Sequence, residues 1–147
     1  MTENILREKN TPNKEGTKQF AKDIVAKFQV GDTILFYGGI GSGKTYLIKE
    51  LVKLLGLKNE VSSPSFSIYN QYSGSILVNH IDLYRIPDHN ALANLGLEDI
   101  WEMNSINFIE WPNLIEKQIE WRHFRLYIET NFKNTNWRKF KLVLFSN

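Results

Sequence analysis

Apolar residues in the first third of the chain recur at two alternating spacings. Phe20, Ala21, Ile24, Val25 and Phe28 fall at i, i+1, i+4, i+5 and i+8, one face of an amphipathic helix predicted over Lys14 to Phe28. After a turn signal at Gly31 and Asp32, Thr33 to Tyr37 is a short β-rich run without polar alternation. Such a run suits a strand buried on both faces. A glycine-rich loop follows. Leu47, Ile48, Leu51, Leu54 and Leu55 then mark the buried side of a second helix, Lys44 to Leu55, with Gly56 as its stop.

The rest of the chain is richer in strands. Ser62 to Ser65 reads as a loop, because Pro64 pushes Ser63 into extended geometry. Phe66 to Tyr72 and Ile76 to Leu83 are predicted strands, joined as a hairpin at Ser73 to Ser75. Short helical turns fill 88–103, with a break at Gly96, and Ile106 to Ile109 forms another strand running into Glu110, Trp111 and Pro112. A short helix near Asn113 to Gln118 and strands over 123–130 and 136–146 complete the pattern. Residues 1–13 are polar and read as a loose N-terminal segment. Helices and strands alternate early and strands dominate late. This predicts an α/β fold with a central, mainly parallel sheet flanked by helices and antiparallel C-terminal strands. With no repeat or linker in sight, the 147 residues are expected to form one domain.

Composition narrows the chemistry. The chain has no cysteine, which excludes disulfide scaffolds, thiolate metal sites and cysteine nucleophiles. Its histidines, His80, His89 and His123, are too widely spaced to suggest a histidine metal centre. Eighteen basic and sixteen acidic residues leave a net charge of +2, with no run of five or more like charges, unlike a nucleic-acid-binding footprint. No apolar stretch approaches the roughly 20 residues needed to span a bilayer. The first ten residues lack a signal-type apolar core, so a cytoplasmic location is expected.

The strongest chemical signal is the loop itself. Gly38, Gly39, Ile40, Gly41, Ser42, Gly43, Lys44 and Thr45 fit G-x-x-x-x-G-K-[ST] at every position, between a strand and a helix as that phosphate loop requires. Glycines let the backbone curl so that several N–H groups point inward as an anion nest, and the following helix adds the positive end of its dipole. In that pattern Lys44 meets the β- and γ-phosphates, and the Thr45 hydroxyl ligates Mg²⁺. A dinucleotide fingerprint starting at Gly39 fails, since its last glycine falls on Lys44. A phosphate-loop enzyme also needs a carboxylate at a neighbouring strand end. Glu110 and Asp82 both close apolar runs, and the spacing alone does not choose between them.

With these elements in order, the run Leu35 to Thr45, Ser63 to Phe66, His80 to Arg85 and Ile109 to Pro112 resembles the TsaE family. These are the small bacterial P-loop ATPases of tRNA N6-threonylcarbamoyladenosine biosynthesis. The similarity runs from about Thr17 to about Arg138. It implies a P-loop NTPase fold and a Mg²⁺-dependent ATPase that acts with two partner proteins as a turnover or assembly factor. The lack of a dedicated arginine finger predicts that it is slow alone and stimulated by those partners. The implied partners are the kinase-like subunit of the tRNA-threonylcarbamoyl-transferase and its inactive paralogue, with tRNA contacted indirectly and no membrane involved. Matched residue by residue, ATP binding falls on Gly39 to Thr45, with Thr17 and Arg138 also reaching the nucleotide and the adenine expected near Pro12 to Glu15. The resemblance puts Mg²⁺ on Thr45 and Glu110, catalysis on Lys44, Asp82 and Glu110, and Trp111 close to the terminal phosphate. The chain departs from the family pattern at Ser65, where the family has threonine, and at Asn113, where it often has an acid or glutamine.

Two alternatives belong to other classes. A small-molecule P-loop kinase usually carries an arginine-rich lid, and Arg7, Arg85, Arg122, Arg125 and Arg138 are scattered. Arg85 reads as a surface or partner-contact residue rather than an internal arginine finger. A GTPase-like switch would need an Asn-Lys-x-Asp stretch, whereas Asn13 and Lys14 are followed by Glu15 and Gly16.

Overall fold

The computed structural model describes residues 1–147, built around one seven-stranded sheet. The strands are β1 (Thr2–Thr11), β2 (Thr33–Tyr37), β3 (Tyr69–Ser73), β4 (Leu77–Asp82), β5 (Ile106–Glu110), β6 (His123–Thr130) and β7 (Arg138–Ser146). Their spatial order is β1-β7-β6-β2-β5-β4-β3. The middle four, β6, β2, β5 and β4, are mutually parallel; β7 and β1 extend one side antiparallel and β3 the other. Helices α1 (Lys14–Ile24) and α2 (Lys44–Leu54) are the long ones; α3 (His89–Ala93) and α4 (Leu97–Trp101) are single turns on either side of Gly96.

The unalternating run in β2 does what it predicts. Ile34 and Phe36 join one core with α1 and α2, where Phe20, Ile24, Leu47, Ile48 and Leu51 meet Phe108, Phe124 and Phe140. Phe20 stacks on Phe140 with ring centroids 4.7 Å apart. Leu35 faces the other way, onto a smaller core with Ile81, Ile109, Leu92, Ile100 and Ile115. A strand with both faces buried fixes its register tightly and carries the phosphate loop on a rigid stem.

The segment expected to be loose is instead β1, which pairs with β7 from Thr2↔Ser146 to Thr11↔Arg138, with a bulge between Ile5 and Arg7. Its outer position hides it from pattern reading. An edge strand exposes most of its side chains, and charges such as Glu8 and Lys9 there discourage pairing with other chains. Three smaller differences have local causes. The first helix stops at Ile24 and a 3₁₀ turn, Val25–Lys27, covers the remainder. The strand expected from Phe66 begins only at Tyr69, because Ile68 is left-handed at φ 69° and its N–H donates to the Pro64 carbonyl. The segment after Pro112 forms two 3₁₀ turns rather than one short helix.

The junction of β1 and α1 is tight. Asn13 caps α1 by accepting from the Glu15 and Gly16 N–H groups. A Cβ on Gly16 would stand 1.6 Å from the Thr11 hydroxyl oxygen, and Thr11 is buried. Gly16→Ala is therefore expected to lower stability by about 1–3 kcal/mol through overpacking, despite alanine's better helix propensity. Chemical denaturation at fixed slope checks it; a variant as stable as the parent would show that Thr11 can move aside.

Candidate functional site

The carboxyl ends of the parallel strands converge on one cleft, the usual ligand position in an open α/β sheet. β2 delivers the phosphate loop, while the register pairs Phe36 with Glu110 and Asp82 with Glu110, so both acids stand side by side beneath the start of α2. The cavity there has a volume of about 540 Å³. Its wall includes Ile40 to Tyr46, Ser63, Ser65, Asp82, Tyr84, Glu110, Trp111 and Arg138.

Gly43 caps α2 at φ 98° and Gly41 lies at φ 74°, conformations that a side chain would strain. Lys44 opens the helix. Its ammonium donates to the carbonyls of Gly38 (2.7 Å) and Gly39 (2.9 Å) and lies 4.2 Å from the centre of the Trp111 ring. Burial pushes this ammonium below the ordinary lysine range, against the opposing pull of Glu110 and Asp82. The Trp111 backbone is itself left-handed at φ 55°, which turns the chain sharply after β5 and brings the indole over the lysine. Tyr84 packs against the same indole at 4.8 Å.

The two acids have different company. Glu110 accepts from the Thr45 hydroxyl, at 3.2 and 3.3 Å to its two oxygens, and pairs with His80 Nε2 at 2.6 Å. Asp82 accepts from the Ser65 hydroxyl at 2.9 Å and from the Tyr84 N–H at 2.8 Å. Ser65 in turn shares a hydrogen bond with Ser63. Glu110 is thus tied to the helix and Asp82 to the serine loop. Thr45 and Glu110 present hard oxygens at one point, beside backbone N–H groups suited to phosphate. This donor set fits a magnesium ion that takes one or two protein oxygens and completes its shell with phosphate and water. No group of three or more acidic or histidine side chains is placed to hold a metal by itself.

Arg138 reaches the loop from β7, donating to the carbonyls of Ser42 (2.7 Å) and Gly41 (3.3 Å). It braces the phosphate loop and also lines the cavity wall. Thr17 is buried against the core and does not line the cavity; Lys14, one turn earlier on α1, lines it instead. Arg85 also lies off the cavity, stacked 4.1 Å over the exposed Phe66 ring. Sequence reading gave no individual site role to Tyr84 or Tyr46, while Lys14 lies in the segment expected near the adenine. Tyr84 carried a usable signal as a member of the His80 to Arg85 motif, and Tyr46 carried none.

Known proteins resemble this chain in sequence and in fold. A family model described as "Threonylcarbamoyl adenosine biosynthesis protein TsaE" matches residues 11–140. The tRNA threonylcarbamoyladenosine biosynthesis protein TsaE of Bacillus subtilis is 33% identical over 120 residues, spanning 81% of this chain and 75% of that protein. The Rickettsia felis protein of the same name is 33% identical over 106 residues, 71% of this chain and 61% of its own length. The crystal structure of YdiB from Bacillus subtilis superposes with a TM-score of 0.78 at 27% identity, covering 97% of this chain and 87% of that one.

Proposed function

This chain belongs to the TsaE family and has a P-loop NTPase fold, and from that premise we propose that it is a Mg²⁺-dependent ATPase of tRNA threonylcarbamoyladenosine biosynthesis. On this reading it is one ATPase domain working in the cytoplasm with two partner proteins, the kinase-like subunit of the tRNA-threonylcarbamoyl-transferase and its inactive paralogue, and tRNA is contacted through them. No helix is long and apolar enough to cross a membrane. The observation that carries the reading is the meeting of Thr45 and Glu110 at the mouth of α2, with the Lys44 ammonium and Asp82 beside them.

Each residue then has a task. Backbone N–H groups from Gly39 to Thr45 bind the phosphates, and Lys44 exchanges its carbonyl partners for phosphate oxygens. Thr45 and Glu110 would hold the ion. Bound Mg²⁺ would neutralise charge that develops on the phosphates. Asp82, anchored by Tyr84 and Ser65, orients the serine loop or the attacking water at the terminal phosphate. Trp111 and Tyr84 shield that end of the cleft from solvent, and Arg138 keeps the loop in its binding shape.

The arginines favour hydrolysis over transfer to a small molecule. Arg7 pairs with Asp23, Arg122 with Asp32 and Arg125 with Glu116, so none of the three faces the cleft. Arg138 is committed to loop carbonyls and Arg85 to Phe66. With no free arginine to stabilise the transferring phosphate, the isolated protein is expected to hydrolyse ATP slowly. An arginine supplied in trans is worth about 10³–10⁵ in rate. Phosphate release measured with and without the reconstituted partner pair tests this, and equal rates would remove the idea that the site is completed by a partner.

A further inference from the structure

A buried polar chain runs away from the cleft behind Glu110. His80, fully buried on β4, presents Nε2 to the Glu110 carboxylate at 2.6 Å and Nδ1 to the Tyr72 hydroxyl at 2.9 Å. Tyr72 lies on the neighbouring strand β3 and is only 3% exposed. A carboxylate only accepts, so Nε2 donates to Glu110, while Nδ1 and the Tyr72 hydroxyl share the second hydrogen bond. The same hydroxyl stands 3.4 Å from the carbonyl of Ser62, at the base of the serine loop. Burial pushes the Tyr72 hydroxyl above the ordinary tyrosine range, keeping it a donor. Every polar atom of the chain has a partner, and no buried side-chain nitrogen or oxygen in the protein lacks one.

We propose that Tyr72 is a positioning residue of the nucleotide site: acting through His80, its hydroxyl fixes the orientation in which the Glu110 carboxylate meets Thr45 and the metal. A glutamate has three rotatable bonds, and Thr45 contacts both of its oxygens at more than 3 Å, a weak constraint. The short contact to His80 is the firm one, and His80 is itself oriented by Tyr72. This is the arrangement in which outer partners set the direction and basicity of a metal-binding group. The inference rests on Glu110 being the metal acid.

Tyr72→Phe removes one oxygen and keeps the ring packed. Binding of a fluorescent ADP analogue is titrated with MgCl₂, and also measured in EDTA. The variant is expected to need about tenfold more Mg²⁺ for half the metal-dependent gain in binding, the lower end of what outer-partner changes cost. Its affinity in EDTA is expected to match the parent, a result that general loosening of the fold would not give. In a Glu110→Gln background the Mg²⁺ shift caused by Tyr72→Phe is expected to vanish, because the route through the carboxylate is gone. Normal Mg²⁺ dependence in the parent with no shift in Tyr72→Phe overturns the inference alone, as does an equal loss of affinity with and without metal. A parent protein whose nucleotide binding ignores Mg²⁺ overturns both this inference and the assignment of Glu110.

Discussion

Lys44→Ala is expected to abolish ATP turnover while leaving the protein folded. The ammonium sits in the wall of the cleft, bonded to Gly38 and Gly39 carbonyls, and is not part of either apolar core. Hydrogen bonds to a charged group contribute about 1.5–3 kcal/mol each. Losing two such contacts to phosphate in the transition state corresponds to roughly two to four orders of magnitude in rate. The fold should tolerate the change, because Gly38 is half-buried and Gly39 exposed, so water can replace the lost ammonium. Lys44→Met retains the apolar stem and is the control for packing. Steady-state phosphate release and a thermal melt are the measurements. A folded Lys44→Ala protein that still hydrolyses ATP at the parent rate would sink the ATPase reading altogether.

The second large effect separates the two carboxylates. Glu110→Gln is expected to raise the Mg²⁺ concentration needed for ATP binding, since an amide holds a hard cation less well than a carboxylate. Asp82→Asn is expected to bind Mg·ATP nearly normally and to lose turnover, the mark of a contact that strengthens only in the transition state. Their surroundings give the reason. Glu110 faces the Thr45 hydroxyl, whereas Asp82 is held by Ser65 and Tyr84. Titrating Mg²⁺ against nucleotide binding for both variants, then measuring single-turnover hydrolysis, decides the matter. A metal defect in Asp82→Asn with normal binding in Glu110→Gln would mean that the roles are exchanged.

How much of this was legible beforehand depends on the distance over which each feature is encoded. The phosphate loop is a run of eight adjacent residues between a strand and a helix, so spacing alone exposes it. The strand-end acids are visible because each closes an apolar run. That Asp82 and Glu110 lie side by side is a matter of sheet order, which places β4 beside β5. The Tyr72–His80 contact likewise requires the hairpin register, with Asn70 opposite His80 and Tyr72 one pair further along the face. Arg138 meets Ser42 across 96 residues of chain, a contact no local pattern announces. The left-handed backbone at Ile68 and Trp111 runs against the preference of both residue types and is imposed by tertiary packing. Thr17 shows the converse: a motif match whose position on the helix turns it towards the core.

The pairing of β1 with β7 joins residues 2 and 146, so the sheet's outermost ladder has nearly the greatest sequence separation the chain allows. Contacts of such high order form late in folding and, at an edge with little buried apolar surface, open first from the native state. That ladder ends at Thr11↔Arg138, on the very arginine that braces the phosphate loop. Fraying of β1 is therefore expected to remove one of the two strands that hold Arg138, the other being β6 through Thr130. Nucleotide seated in the loop is expected to slow hydrogen exchange at the Thr11 end of this edge strand, a change that exchange measured with and without nucleotide would read.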